Sequence, residues 1–512
     1  MNGRFEIGVI GGGAATVCLL DALARAESIP GSITVFEPAI ELWRGRPFQR
    51  DLNSVRVNAP PEDMSIRFGD TGHFQRWLSA RNDTLDPTAR LADPFCGARF
   101  VPRSVYGDYL DDSAGSAMLG LLERGWRASM VREPVSSAIA LPAGFELNTA
   151  QGQRTQVDYA VLCVGAGCPA DSYALAGSPG FVAEPYPLSR HLDGIEPDLE
   201  IGVIGSGLTS VDVVLALAAR GHRGLIRLLS RRGVLPGVRQ RAVPHTLQHF
   251  TPAWFRAAAG RGETVTLGQL IAMMGVELAT AGESLDTISA EIVALDQEDS
   301  VQRLRRQLAE VDSASLALRI LQRAVPDTGP DVWPLLPEQQ QAELLRSHYR
   351  AVMSLCCPMP PTSAAALLAL IDRGQLEIVP GLQDIQAVAG GGFTISAQAT
   401  RYRVDLVINA VSPPPHKIPP AARSLVDSLI DAGLAEPHLW GGLHVDRPTS
   451  RLSVNGRPDP RLYALGDLAA GSLFFTFGIP SLVDRAFDIT DALLADARTR
   501  RSARTDGSLQ TV

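Results

Sequence analysis

The chain has 512 residues, enough for two or three domains with cores of their own. It is 45% hydrophobic and 20% charged, the balance of a globular enzyme, and its net charge of −8 argues against a nucleic-acid partner. No apolar run approaches the roughly 18–20 residues of a membrane span, and the six cysteines show no disulfide spacing, so the expectation is a cytoplasmic protein with reduced thiols. Lys417 is the sole lysine among 47 basic residues, which fits a GC-rich genome.

The N-terminus reads strand, glycine turn, helix: "EIGVIGGGAATVCLLDAL", Glu6 to Leu23. In such a unit the first glycine, Gly11, permits the tight turn. Gly13 then lets the backbone approach a pyrophosphate seated on the positive end of the helix. Gly12, Ala14 and Ala15 complete the turn, and Thr16 stands where a third glycine is usual. The following strand, "GSITVFEP", ends in Glu37, placed to accept from adenosine ribose hydroxyls. From Arg127 to Gly167, "RASMVREPVSSAIALPAGFELNTAQGQRTQVDYAVLCVGAG" reads as punctuated strands, closed by a buried strand and a glycine turn at Gly165.

The pattern then recurs. "EIGVIGSGLTSVDVVLAL", Glu200 to Leu217, puts Gly205, Gly207, Leu208 and Thr209 in the turn, with Ser210 in the third-glycine position. Its second strand, "GLIRLL", ends in Ser230, Arg231 and Arg232 instead of an acid, and two guanidiniums offer bidentate donors to a 2′-phosphate. The first turn therefore reads as an FAD site and the second as an NADPH site. "LEIVPGLQDIQAVAGGGFTISAQATRYRVDLVINAVSP", from Leu376, repeats the earlier strand order. Between the two parts lie amphipathic stretches, "LDTISAEIVALDQEDSVQRLRRQLAEV" and "LPEQQQAELLRSHYRAVMSL". Near the end, "RLYALGDLAAGSLFFTFGIPSLVDRAFDITDALL" has a strand, Gly466-Asp467 and a helix begun by Pro480. Asp467 is placed to accept from ribityl hydroxyls, and the helix N-terminus to face the flavin pyrimidine.

The expected fold is α/β, with two dinucleotide-binding, Rossmann-like domains, the second nested in the first, and a helical insertion. The FAD-binding domain takes residues 1–195 and 413–512, and the NADPH-binding domain 196–240 and 361–412. The insertion, 241–360, is read as a lid that selects the substrate. Other candidates carry less. Cys163 and Cys168 have the spacing of a flavin disulfide reductase but lie in a strand and turn, not after the first glycine helix. Cys356 and Cys357, adjacent in sequence, read as buried bystanders, with a thiol contributed to a substrate pocket as the alternative. His245 and His249 stand one helical turn apart with no third ligand nearby, so no metal is expected.

Five stretches carry a resemblance: "GGGAAT", "VRVNAPPEDMSIRFGD" (Val55–Asp70), "FVPRSVYGDYL" (Phe100–Leu110), "IGSGLTSVDVVLAL" and "GHRGLIRLLSRRGVLP" (Gly221–Pro236). They are similar to a family of bacterial FAD/NAD(P)-binding proteins related to the flavin-dependent N-hydroxylating monooxygenases, the clan of ornithine, lysine and aspartate N-monooxygenases. The chain departs from that family at "SLCCPMPP", Ser354 to Pro361, where relatives tend to have a basic, histidine-rich run. The resemblance implies that Asn58 and the loop Pro60–Met64 lie against the isoalloxazine, and that Arg103, Tyr106 and Tyr109 lie near its junction with the nicotinamide. It makes Asn58 and Arg103 the candidate catalytic residues, and it brings the backbone at Val135 to the adenine. The residues also fit plainer roles, a turn asparagine and a tyrosine pair packed beneath a helix. The implied reaction has NADPH reduce FAD, dioxygen add at flavin C4a, and the hydroperoxide oxygenate a small amine or amino acid. The alternatives are an NADPH-dependent flavin dehydrogenase or oxidase, and a non-catalytic flavin-bound redox sensor. The partners expected are a small-molecule substrate and dioxygen; oligomeric state is not readable.

Overall fold

The computed structural model describes residues 4–85, 91–412, 418–476 and 478–509; Lys417 lies outside them. The N-terminal half builds β1 (Glu6–Ile10), β2 (Ser32–Phe36), β3 (Arg127–Val131), β4 (Val135–Leu141), β5 (Gly144–Thr149), β6 (Arg154–Val157) and β7 (Tyr159–Leu162). The second half of the nucleotide framework comprises β8 (Phe181–Val182), β9 (Ile201–Ile204), β10 (Ile226–Leu229), β11 (Leu376–Val379), β12 (Leu382–Ala387), β13 (Phe393–Ala397), β14 (Thr400–Val404) and β15 (Leu406–Asn409). The chain returns with β16 (Arg451–Val454) and β17 (Arg457–Ala464) before the long helix Ile479–Leu509.

One sheet runs β16-β17-β7-β1-β2-β3, and all its pairings are parallel except β16 with β17. A second runs β11-β10-β9-β15-β8, parallel throughout. In each, the strand that leads into the glycine turn (β1 or β9) is central, and the next two strands stack to one side. A three-stranded antiparallel meander leads into the strand on its other side (β7 or β15); the second sheet adds β8 at that edge. The central strands are buried on both faces, which is why "IGVI" is continuous apolar sequence in both copies.

Glycine inside those two strands has a physical cause. A Cβ on Gly8 would lie 2.6 Å from Leu147 Cδ1 of the first meander, and one on Gly202 would lie 3.3 Å from Ile395 Cδ1 of the second. Each meander thus sits directly on its sheet and leaves no room for a side chain. On the opposite face of the first sheet, the helices Ala14–Arg25, Arg103–Glu123 and Ile479–Leu509 pack together around Val17, Leu20, Leu110, Ile489 and Leu493.

A helical region interrupts the second sheet between β10 and β11. The longer amphipathic stretch is not one helix. Asp299 accepts from the Val301 and Gln302 amides and starts a new helix, Ser300–Ala309, after Asp286–Gln297. The other stretch forms Glu338–Glu343, a π turn at Leu344–His348 and the helix Tyr349–Cys356. The region has its own core, with Phe255, Leu278, Ile320 and Trp333. It is fastened to the C-terminal segment by Trp333, which donates to Gly471 O at 2.7 Å and stacks on Phe474. A buried charge network adds to this: Arg447 bridges Asp331 at 2.5 Å and Asp488 at 3.2 Å. Among the described residues, no helix is long and apolar enough to cross a membrane.

Candidate functional site

The first glycine turn joins β1 to the helix Ala14–Arg25. Gly11 has φ +109°, and any Cβ there would strike the Cys163 carbonyl, so only glycine fits. The turn is held by Gly11 N to Phe36 O at 2.9 Å and by Thr16 Oγ1 to Gly11 O at 2.6 Å. Thr16, in the third-glycine position, thus closes the turn with its hydroxyl. Gly13 is the helix N-cap, no side chain caps the helix, and the first-turn amides beside Ala14 and Ala15 remain open to an anion. Glu37 accepts from Gly12 N at 2.7 Å and from Ala39 N at 2.8 Å, which fixes its carboxylate at the strand end. Glu37 N in turn donates to Val131 O at 3.0 Å, and Val135, a few residues on, opens β4 as a buried side chain. Gly165 follows β7 with φ +67° and open space where a Cβ would be.

The C-terminal strand delivers Gly466 (φ +95°) and Asp467 to the same end of this sheet, since β17 pairs with β7. Burial pushes the Asp467 carboxyl up to about 6, and among the described residues no cation or side-chain donor offsets it. Nearby in sequence, Thr476 is buried with its hydroxyl unpartnered. A recessed carboxylate and an orphaned hydroxyl flank the start of the helix Ile479–Leu509, and both suit a polar ligand with hydroxyl and imide groups. Thr476 carries no signal in the sequence, where it sits in an apolar run.

Asn58 is half-buried; its side-chain amide makes no hydrogen bond to the described protein, and its carbonyl accepts from Arg239 Nε at 3.0 Å. Sequence reasoning misses Arg239. Its terminal guanidinium nitrogens make no hydrogen bond to the described protein, and Asp63, Cys357 and Cys96 are among its electrostatic neighbours.

Three expectations from the resemblance need correction. Tyr106 is fully buried, with its hydroxyl donating to Met64 O at 2.9 Å, so it presents no surface to a cofactor. Tyr109 is likewise in the core, its hydroxyl 3.2 Å from Ile66 N and 2.7 Å from His73 Nδ1. Both support the 64–66 loop from behind. Arg103 is committed elsewhere too. Its guanidinium donates to Arg56 O at 3.1 Å and Tyr186 Oη at 3.1 Å, and pairs with Asp212 at 2.6 Å. Tyr186 donates to the same Asp212 oxygen. Burial pushes the Asp212 carboxyl up and Arg103 pulls it back. Asp212 belongs to the helix Leu208–Ala219, so this buried group joins the two glycine-turn modules and engages all three guanidinium nitrogens of Arg103.

The second turn repeats the geometry of the first. Gly205 has φ +112° and lies against Ala410 O, and Gly207 caps the helix with open space around it. Leu208 and Thr209 are half-buried, while the Ser210 hydroxyl is buried without a partner. The turn therefore offers an uncapped helix end and a bare backbone to a pyrophosphate. Ser230 is buried and accepts from Gly233 N at 2.8 Å, so its side chain shapes the strand end. Arg231 and Arg232 are exposed beyond it, Arg232 with Asp296 at 3.7 Å.

The remaining candidates are structural. All six cysteines are free thiols; Cys163 is buried, and burial pushes it up to about 12, while Cys168 is exposed. Cys356 and Cys357 are likewise pushed up by burial. His245 Nε2 lies 3.1 Å from Glu277, a fully buried carboxylate that also accepts from the Gln248, His249 and Phe250 amides. Among the described residues no three such side chains are grouped to hold a metal.

Residues 8–167, which contain the first turn, Glu37 and the glycine turn at Gly165, match the FAD-NAD(P)-binding family. The chain carries an FAD/NAD(P)-binding module. No curated protein matches the chain. Among solved structures, the ornithine N-hydroxylase KtzI of Kutzneria sp. 744 is 14% identical with a TM-score of 0.52, covering 97% of this chain and 100% of its own. The ornithine hydroxylase PvdA of Pseudomonas aeruginosa, in its reduced form, is 14% identical with a TM-score of 0.55, covering 96% and 99%. The fold of this chain is therefore that of the two-domain flavoproteins, over nearly its whole length.

Proposed function

We propose that the protein is an FAD-dependent, NADPH-consuming monooxygenase that oxygenates the nitrogen of a small amine or amino acid. The observation that carries this reading is the pair of unlike nucleotide turns, Glu37 ending one second strand and Arg231-Arg232 the other. A carboxylate prefers a free ribose, and guanidiniums prefer a 2′-phosphate. The likeness in fold to KtzI, whose structure holds reduced FAD, NADP⁺ and L-ornithine, supports the reaction class.

Bound FAD, once reduced by NADPH, supplies the electrons that split dioxygen. The balance is R–NH₂ + O₂ + NADPH + H⁺ giving R–NHOH + H₂O + NADP⁺. The chain's own residues bind and exclude. Gly11–Ala15 and Glu37 would hold the FAD pyrophosphate and ribose, with Val135 and Gly165 beside them; Gly466-Asp467 would hold the ribityl chain and Thr476 a flavin edge. Asn58, kept in place through its carbonyl by Arg239, would turn its free amide to the flavin. Gly205, Gly207, Leu208 and Thr209 would hold the NADPH pyrophosphate. Arg103 acts as a positioning residue that fixes the NADPH-binding helix against the flavin half. The helical insertion, anchored by Trp333, would keep water out.

A disulfide reductase reading has less support, since Cys18 on the first glycine helix and Cys163 beside it are buried thiols pushed far from reactivity. The deciding experiment follows NADPH consumption in air with candidate amines. The proposal expects hydroxylamine product equal to NADPH consumed for some amine. Hydrogen peroxide equal to NADPH with every amine would identify an oxidase, and anaerobic reoxidation of the flavin by an organic acceptor a dehydrogenase.

A further inference from the structure

The insertion brings a third guanidinium to the strand end that bears Arg231 and Arg232. Arg350 lies at the start of the helix Tyr349–Cys356, and the helix is pinned alongside the segment that follows those arginines. Gly237 N donates to Ser354 O at 2.8 Å, Ser354 Oγ donates to Leu235 O at 2.8 Å, and Arg303 donates to Ser354 Oγ at 2.8 Å. A second tie fixes the turn itself, Ser300 Oγ donating to Gly233 O at 2.8 Å. Arg350 is half-buried, and burial together with the charges of Arg231 and Arg232 holds its guanidinium below the usual range.

Three like charges converge here with little to balance them. Among the described residues, the guanidiniums of Arg231 and Arg350 make no ion pair or hydrogen bond, and Arg232 has only Asp296 at 3.7 Å. Several half-buried arginines elsewhere are closely paired, as with Arg46 and Glu184 at 2.8 Å or Arg306 and Glu298 at 2.8 Å. A half-buried guanidinium beside two exposed ones is unfavourable by itself and becomes favourable around an anion. The matching strand end in the first module carries Glu37, so the triad sits where a ribose is bound in this architecture. A phosphate dianion presents three oxygens, one for each guanidinium.

We propose that Arg350, supplied by the insertion, is a third ligand of the 2′-phosphate of NADPH, a role that rests on the NADPH reading of the second turn. The same helical turn also reaches the other module. Tyr349 lies close enough to Asp467 to feel its charge, and packs edge-on against Phe474 with ring centroids 6.2 Å apart. Consecutive residues thus address the two nucleotide sites, and a π turn, the kind of helical irregularity found at functional sites, immediately precedes them. Binding of the phosphorylated nucleotide would hold the insertion against both.

The test uses flavin-loaded protein with adenosine 2′,5′-bisphosphate and 5′-ADP as probes, read by titration calorimetry and thermal shift, so it does not depend on turnover. In the wild type the 2′,5′-bisphosphate should bind more tightly than 5′-ADP. Arg350→Gln should weaken the bisphosphate about ten- to a hundredfold and leave 5′-ADP within about twofold. Arg350→Lys should recover part of the loss, and it serves as the second variant should the glutamine protein fold poorly. Equal losses for both probes, or no loss in Arg350→Gln while Arg231→Ala loses the bisphosphate, would overturn the role of Arg350 and leave the NADPH reading standing. A wild type that does not distinguish the two probes would overturn both.

Discussion

Asp467 is a residue whose service to the cofactor should be visible as a defect in its absence. Its carboxyl is pushed from 3.8 up to about 6 by burial, with no cation to offset it among the described residues. The folded apoprotein therefore holds this proton more tightly than the unfolded chain. Stability attributable to Asp467 is fully present below pH about 4 and is lost as pH rises through about 6. The difference of roughly 2 pH units corresponds to about 3 kcal/mol, and residual solvent access trims this to roughly 1.5–3 kcal/mol. Asp467→Asn keeps the shape and removes the charge. Flavin-stripped Asp467→Asn should therefore be more stable than flavin-stripped wild type by roughly 1.5–3 kcal/mol at pH 7.5, in urea denaturation, with the advantage falling by about half at pH 5. The same substitution should weaken FAD about ten- to a hundredfold, because an amide is a poorer acceptor for a ribityl hydroxyl than a carboxylate. A stability difference that does not vary with pH would refute the burial argument. Unchanged FAD affinity would refute the ribityl assignment.

Gly13→Val should yield protein that purifies without yellow colour, since its side chain would occupy the approach to the helix N-terminus; flavin absorbance at full stoichiometry would contradict the FAD site. Arg231→Ala/Arg232→Ala should lower kcat/KM for NADPH about ten- to a hundredfold for each guanidinium removed and leave NADH nearly unchanged, as steady-state kinetics would measure. Asp212→Ala strands the buried Arg103 charge and should destabilise the protein by about 3–5 kcal/mol, whereas the paired change Arg103→Met/Asp212→Leu should restore much of it. Denaturation curves for the three proteins would decide this, and a loss in the pair equal to the single loss would argue against a stranded charge. Arg239→Ala should reduce turnover more than flavin content, by freeing the backbone at Asn58; flavin content falling in step with turnover would place Arg239 in cofactor binding instead.

The glycine turns were legible because their constraint is local: Gly11 and Gly205 need positive φ and touch a neighbouring strand's carbonyl, and no other residue serves. The placement of Glu37 and of Arg231-Arg232 just past corresponding strand ends was legible because each follows a short apolar strand after a glycine turn. The burial of Tyr106 and Tyr109 was also in the sequence, since Tyr106, Tyr109, Leu110, Ser113 and Ala117 follow helical spacing along one buried face. The resemblance pointed those tyrosines at the cofactor, and the spacing was the better guide. Arg239, Arg350, Thr476 and Asp212 were not legible. Each gains its meaning from partners far along the chain, such as Asn58 for Arg239 and Arg103 for Asp212, and no local pattern encodes those meetings. The break at Asp299 was encoded, as a capping acid inside a run that reads amphipathic throughout.

The nesting of one sheet inside the other sets an order of assembly. β1 leaves the ribosome well before β17, yet its neighbour β7 pairs on its far side with β17, which is followed by two short helical turns and the long helix Ile479–Leu509. Val9, Leu19 and Leu20 share a core with Ile489, Leu493 and Leu494, and Tyr159 donates to Asp496 at 2.7 Å. The opening module thus waits, half built, while everything between is synthesised. The interior module can close earlier, since β9, β10, β11 and β15 are all complete by Asn409. β1 is therefore made long before it is fully covered, which makes its exposure to aggregation during synthesis a property of the topology and not of the composition.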